Sequence, residues 1–322
     1  MPVPVEGVVR FWSSPWTKRI VNVGSVVLAL ALTGLAARHF VASGWPFAHA
    51  EPVLVAGATL LFLVAYGFKA YGWSRLFAPH ERPDSAALAA AAGAASVTGI
   101  ALPGRFDDAV RVVVLRRYPG TRAGVKALAL SLFTLGLIDT VALMPLASTG
   151  AAMTGSVAVR VTLAIVAFGG VGAACVVVAM PRVGRSARLV RYRLARWLAE
   201  HAPTTREATK GFWLVLASWV IRGAALCLLL GALGIGLSFS LAIVFLTAGA
   251  ASAALPVAPA GAATQVGAGA AMLVASGVRG SQAIAFALAA QALVILVGAA
   301  VLLGVIVWQL GRRFAVRTAA PA

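Results

Sequence analysis

The chain has 322 residues, 61% of them hydrophobic and 11% charged, against about 25% charged in a soluble domain; this excludes an ordinary soluble fold and predicts a polytopic membrane protein. A formal charge of +18 would suggest nucleic acid in a soluble protein. Here the basic residues lie mainly between long apolar runs, where they orient a chain in a membrane, and no nucleic-acid-binding module accompanies them.

A helix needs about 20 apolar residues to cross the hydrocarbon core. The first run that qualifies is 20–42. It follows Lys18 and Arg19 as a signal peptide would, yet exceeds the roughly 7–15 residues of a signal core, so it reads as a retained span. A second span is expected at 52–72. From 85 to 118 the chain stays apolar but is broken at Leu102-Pro103-Gly104. Spans at 124–148 and 157–180 follow, then a basic segment at 182–210, a span at 211–231, a second broken region at 239–277, and a last span at 282–310. The second break runs from Leu255-Pro256 to Pro259-Ala260-Gly261.

Proline removes a backbone donor and glycine favours turns, so such breaks survive at membrane depth only where protein or a polar cavity satisfies the freed groups. Each broken region therefore either crosses the membrane or enters, turns and leaves on one side. With both re-entrant and the N-terminus inside, 21 of the 27 basic residues are cytoplasmic, Lys69 among them, and only Arg38, Arg160 and Arg279 are external. If the first region simply crossed, the eight basic residues of 182–210 would lie outside, against the positive-inside bias. The expected architecture is thus all-α: one integral membrane domain over 1–322, with six full transmembrane helices and two opposed re-entrant hairpins. An "AASVTGIALP" stretch at 94–103 recurs as "AASAALP" at 250–256 in the same order of elements, which suggests inverted repeats of the kind that place transporter sites near the midplane.

Arg105, Arg111, Arg222, Asp107, Asp108 and Asp139 all fall at membrane depth in this topology. Asp107 and Asp108 precede Arg111 by four and three residues, so both can reach its guanidinium. They can serve as a structural lock on the hairpin or as a polar path in which Arg105 meets phosphate. Asp139 and Arg222 sit near the centres of their spans, where a lone ion is costly; equal depth makes them the expected pair, with a protonation switch at Asp139 as the sharper alternative. Thr264, Gln265, Gln282 and Gln291 read first as interhelical hydrogen-bonding groups, and Gly261, Gly267 and Gly269 as sites of close packing. Arginines at 185, 188, 191, 193 and 196 with Leu189, Leu194, Trp197 and Leu198 predict an interfacial amphipathic helix over 182–196. Cys175 and Cys227 lie in apolar runs and read as packing residues. The four histidines lack ligand spacing, so neither metal nor cofactor is expected.

The "LPGR" tip followed by acids and an Arg-Arg helix end, the "LGLIDTVAL" span and the late "LP..PAG" break together resemble the lysylphosphatidylglycerol synthase transmembrane-region family over about 15–315. That family includes the flippase part of the bacterial multiple-peptide-resistance factor. Members usually carry Gly-Glu where this chain has Asp107-Asp108, Glu-Arg where it has Leu135-Gly136, and Arg-Glu in the late motif, where it reads Gln265-Val266. The aminoacyl-transfer domain of full-length synthases is not in this sequence. The resemblance implies a flippase for a phospholipid or polyprenyl-linked lipid in the cytoplasmic membrane; the distribution of basic residues puts both termini on the cytoplasmic side. The substrate path would comprise Arg105, Asp107, Asp108, Arg111, Asp139, Arg222, Thr264 and Gln265, and the broken-helix scaffold Pro103, Gly104, Pro256, Pro259 and Gly261. Two other classes compete. One is a non-catalytic subunit supporting a lipid- or glycan-modifying enzyme, alone or as a homo-oligomer. The other is a lipid transferase, which would need more carboxylates to hold divalent metal around a pyrophosphate.

Overall fold

Long runs of Ala, Leu, Val and Ile give the backbone no side-chain partners, and in lipid its N–H and C=O groups must then bond within the segment, as a helix does. In the computed structural model, which describes residues 47–318 apart from 49, 100–105, 119–120, 186–191 and 255–260, the described residues form ten helices. They are α1 Pro52–Ser74, α2 Ser85–Thr98, α3 Phe106–Arg117, α4 Val125–Met153, α5 Val157–Arg185, α6 Arg193–His201, α7 Thr205–Ala232, α8 Phe239–Ala254, α9 Gly261–Ala275 and α10 Gly280–Thr318. Five are long and apolar enough to span a membrane: α1, α4, α5, α7 and α10. The chain is an all-helical polytopic membrane protein. The expected span at 20–42 lies outside the described residues, as does the whole of the separate unit Met1–Trp45; Pro46–Ala322 is one compact unit.

The two broken regions become pairs of short helices. The 14 residues of α2 and 16 of α8 rise only about 21–24 Å, too short for a core of about 30 Å. Each packs on the helix that follows its break, α2 on α3 and α8 on α9. The tips themselves, with Pro103, Gly104, Arg105, Pro256 and Pro259, lie outside the described residues. Local chemistry sets several ends. Asp84 accepts from Ala86 N before α2, and Thr204 from Glu207 N before α7, filling donors a helix start leaves open. Gly234 and Gly277 follow α7 and α9 with φ of 70° and 95°, the left-handed turn that lets Ile235 N reach Leu230 O and Val278 N reach Leu273 O.

Packing is reciprocal between the halves. The spans that precede each short pair, α1 and α7, lie against each other, while α2 packs on α10 and α8 on α4. Small residues make the closest crossings. A Cβ on Gly93 of α2 would stand 2.5 Å from Gly298 O of α10, and one on Gly211 of α7 2.8 Å from Leu76 Cδ2 beyond α1. Gly269 of α9 meets the ring of Phe245 on α8 in the same way. Ser218 Oγ donates to Ala65 O at 2.8 Å, and Trp73 Nε1 to Ser131 Oγ at 3.2 Å, tying α7 and α4 to α1. Of the described spans, α4 is the most buried, with 56% of its apolar window enclosed, and α5 the least with 17%.

Two expectations need correction. The amphipathic helix is α6, beginning at Arg193 rather than Arg182, because α5 continues through Pro181 to Arg185. Arg193, Arg196 and Glu200 of α6 are exposed, and Trp197 and Leu198 half-buried. Cys175 is exposed on α5 rather than packed, since that helix turns Ile165, Phe168 and Val171 outward as well, a lipid-facing surface.

Candidate functional site

Helical spacing collects polar side chains on one face of each of four helices. On α1, Tyr66, Lys69 and Trp73 recur at three- and four-residue steps; on α4 there is Asp139, with Gly136 leaving space three residues before it; on α7, Trp219 and Arg222; on α3, Asp107, Asp108 and Arg111. All of them line one cavity of about 970 Å³, which the small residues Ala92, Ala95 and Ser96 of α2 and Gly99 at its end help to enclose. Phe245 and Leu246 of α8 and Gln291 of α10 complete its apolar and neutral walls.

Asp139 is the hub, and its partner is not Arg222. Lys69 Nζ reaches Asp139 Oδ2 at 2.9 Å, and Trp219 Nε1 donates to Asp139 Oδ1 at 2.8 Å. Both carboxylate oxygens thus have partners other than Arg222. The sequence places Lys69 at the end of an apolar run, where it reads as a cytoplasmic topology signal. In the structure it lies inside α1, and its long apolar stem carries the ammonium across to Asp139 on α4. Its Nζ also stands 4.9 Å from the centroid of the Trp219 ring.

Arg222 is held differently. Its Cζ lies 5.3 Å from the ring centroids of both Tyr66 and Trp219, contacts that stabilise a cation by about 0.5–2 kcal/mol each. It makes no hydrogen bond or ion pair among the described residues, and its Nε is buried without a partner. Tyr66 is fixed in turn by a hydroxyl hydrogen bond with Ser96 of α2. On α3 the spacing works as expected: Arg111 contacts Asp108 at 2.7 Å and Asp107 at 3.1 Å. The two acids occupy the first turn of α3 and Arg116 and Arg117 its last, the polarity that the helix dipole favours.

Five sequence-derived residues, Asp107, Asp108, Arg111, Asp139 and Arg222, thus meet in one cavity. Thr264 and Gln265 fall in the first turns of α9 and Gly261 opens it, but the side chains of Thr264 and Gln265 are outside the described set. Lys69, Trp219, Tyr66 and Ser96 had not been singled out. Only Trp219, three residues before Arg222 on the same helix, carried a signal: an aromatic face next to a midspan cation. With three cations and three carboxylates the described cavity is formally neutral, so charge enters the bilayer interior largely compensated, where an isolated ion costs about 3 kcal/mol or more.

A second polar cluster marks one end of the bundle. Glu207 on the first turn of α7 takes Arg82 at 2.9 Å, Lys210 at 3.2 Å and Arg75 at 3.3 Å. His201 Nε2 of α6 lies 3.6 Å from Glu81. These contacts pin the α1–α2 connection against α6 and α7.

No curated protein and no solved structure is matched by the chain. A family model described as the lysylphosphatidylglycerol synthase TM region matches residues 20–304, which includes every residue lining the cavity. The chain belongs to the lysylphosphatidylglycerol synthase transmembrane-region family.

Proposed function

We propose that the protein is a lipid flippase, moving the headgroup of a phospholipid or polyprenyl-linked lipid across the cytoplasmic membrane while the acyl chains stay in the bilayer. The observation that carries this reading is the cavity: about 970 Å³ of space, walled by two pairs of helices and by midspan segments of α1, α4 and α7, and lined by six charged side chains. A structural ion pair needs no such space. A headgroup in transit needs both the room and compensating charge of either sign. Transport rather than catalysis is the reading, because five of these charges pair with one another and Arg222 rests against rings, instead of all converging on one reacting atom. Both termini are cytoplasmic in this account, which puts the basic residues of 182–210 on the inner face.

The test is exchange of fluorescent phospholipids and lipid-linked sugars between leaflets of proteoliposomes. Wild-type protein is expected to exchange at least one of them, and Asp107→Asn/Asp108→Asn and Asp139→Asn to slow it by about tenfold or more, the loss expected when one charged hydrogen-bond partner is removed. Absence of exchange for every lipid, with and without a proton gradient, would refute the proposal in favour of a membrane subunit that supports a partner enzyme.

A further inference from the structure

We infer that α6 and the start of α7 dock by charge on anionic lipid headgroups of the adjoining leaflet, and that this contact steadies the 75–84 connection leading into α2. The leaflet is the inner one in the orientation given above; transport is not assumed. Arg193 and Arg196 stand three residues apart on the exposed face of α6, and Arg206 and Lys210 four apart on that of α7. Lys210 reaches Glu207 at 3.2 Å, while the other three form no ion pair among the described residues. Glu200 is the single exposed acid that opposes them on these helices. The surface is therefore positive and lacks a protein partner for most of its charge.

Height selects lipid as the partner. Trp213 of α7 is 61% exposed, and exposed tryptophans settle at the membrane–water boundary. Lys210 and Arg206 precede it by three and seven residues, so they stand about 4.5 and 10 Å farther out, in and just above a headgroup layer of about 5–8 Å. Only 202–204 separate α6 from α7, and α6 packs against the span α5, which keeps its arginines near the same level, where the field of an anionic surface reaches about 10 Å. Insertion into the acyl layer is not the mode, because the apolar side of α6 is already used. Trp197 and Leu198 are half-buried, and the Trp197 ring stacks on His201 at 5.3 Å. His201 Nε2 in turn lies 3.6 Å from Glu81, and Glu207 beside Arg206 holds Arg75 and Arg82. Fixing α6 and the start of α7 therefore fixes the 75–84 connection, beyond which α2 lines the cavity.

The test is amide exchange on the full chain in nanodiscs of phosphatidylcholine and of an equimolar mixture with phosphatidylglycerol. Residues 193–201 are expected to exchange severalfold more slowly in the mixed discs at about 0.1 M salt, and to lose that protection near 1 M, where the screening length falls to about 3 Å. Arg193→Gln/Arg196→Gln should abolish the difference, since each arginine near an anionic surface counts for roughly fivefold in binding; both side chains are exposed, so the unfolding midpoint should be retained. Residues 75–84 should slow together with α6 in the wild type and follow it less in Glu81→Gln, which loses the charged contact to His201. An α6 indifferent to disc composition, or protected equally at high salt or in the folded arginine variant, overturns the docking. No response of 75–84 in the wild type overturns the coupling. Equal protection in phosphatidylcholine discs on adding soluble glycerophosphoglycerol overturns the leaflet as the partner. Docking in a protein that exchanges no lipid between leaflets keeps this inference and removes the transport reading.

Discussion

Asp139 illustrates what a single position can carry. Its carboxylate joins α4 to Lys69 of α1 and Trp219 of α7, so Lys69→Met leaves a half-buried anion with one neutral donor. The expected cost is about 1–3 kcal/mol, below the roughly 3–5 kcal/mol of a fully enclosed pair because both groups face the cavity. Lys69→Met with Asp139→Leu should recover most of it, and thermal unfolding of the purified single and double variants checks the coupling. Equal and additive losses would show that the pair does not matter to the fold. At this scale the sequence was only partly legible. The Asp107, Asp108 and Arg111 contacts follow from spacing within one helix. The Asp139 partner does not, because depth along separate spans says nothing about which helices touch, and Lys69 at the edge of an apolar run is indistinguishable from a topology signal until α1 and α4 are seen side by side.

Helices in this bundle approach through small residues, and the closest approach gives a prediction with a control. Gly93 of α2 has the Gly298 carbonyl where its Cβ would be, and a backbone atom there cannot move aside. Gly93→Ala should lower stability by about 1–3 kcal/mol as α2 is pushed from α10. Gly67→Ala on α1 has nothing within 4 Å of the new methyl and should be neutral or gain up to about 1 kcal/mol from helix propensity. Unfolding midpoints of the two variants should therefore move in opposite directions or differ clearly. A third change, Glu207→Gln, removes the acceptor charge shared by Arg75, Arg82 and Lys210. Such a network at a half-buried edge is worth about 1 kcal/mol, and faster amide exchange over residues 75–84 with α1 unaffected is the expected sign. The five described spans, and the division of each broken region into two short helices, were legible because hydropathy and Pro-Gly chemistry act locally. The register of α6 was not: Pro181 looks like a stop, yet α5 runs through it, and arginine spacing alone fits a helix at either place.

Taken whole, the molecule places charges from four helices around one cavity of about 970 Å³, with the pairs α2–α3 and α8–α9 at its walls. The central claim is that a lipid headgroup passes through this space. Gly136 of α4 lines it, and the position of its Cβ is open, with nothing within 4 Å. A tryptophan there would occupy the cavity without altering any charge. The most direct measurement is therefore the leaflet-exchange rate of labelled phospholipid in proteoliposomes carrying Gly136→Trp, alongside wild type and the unfolding midpoint of each. The account predicts exchange reduced to the rate of protein-free vesicles with the midpoint retained. Exchange at the wild-type rate in a folded Gly136→Trp variant would contradict it, because lipid would then be crossing by a route other than the cavity.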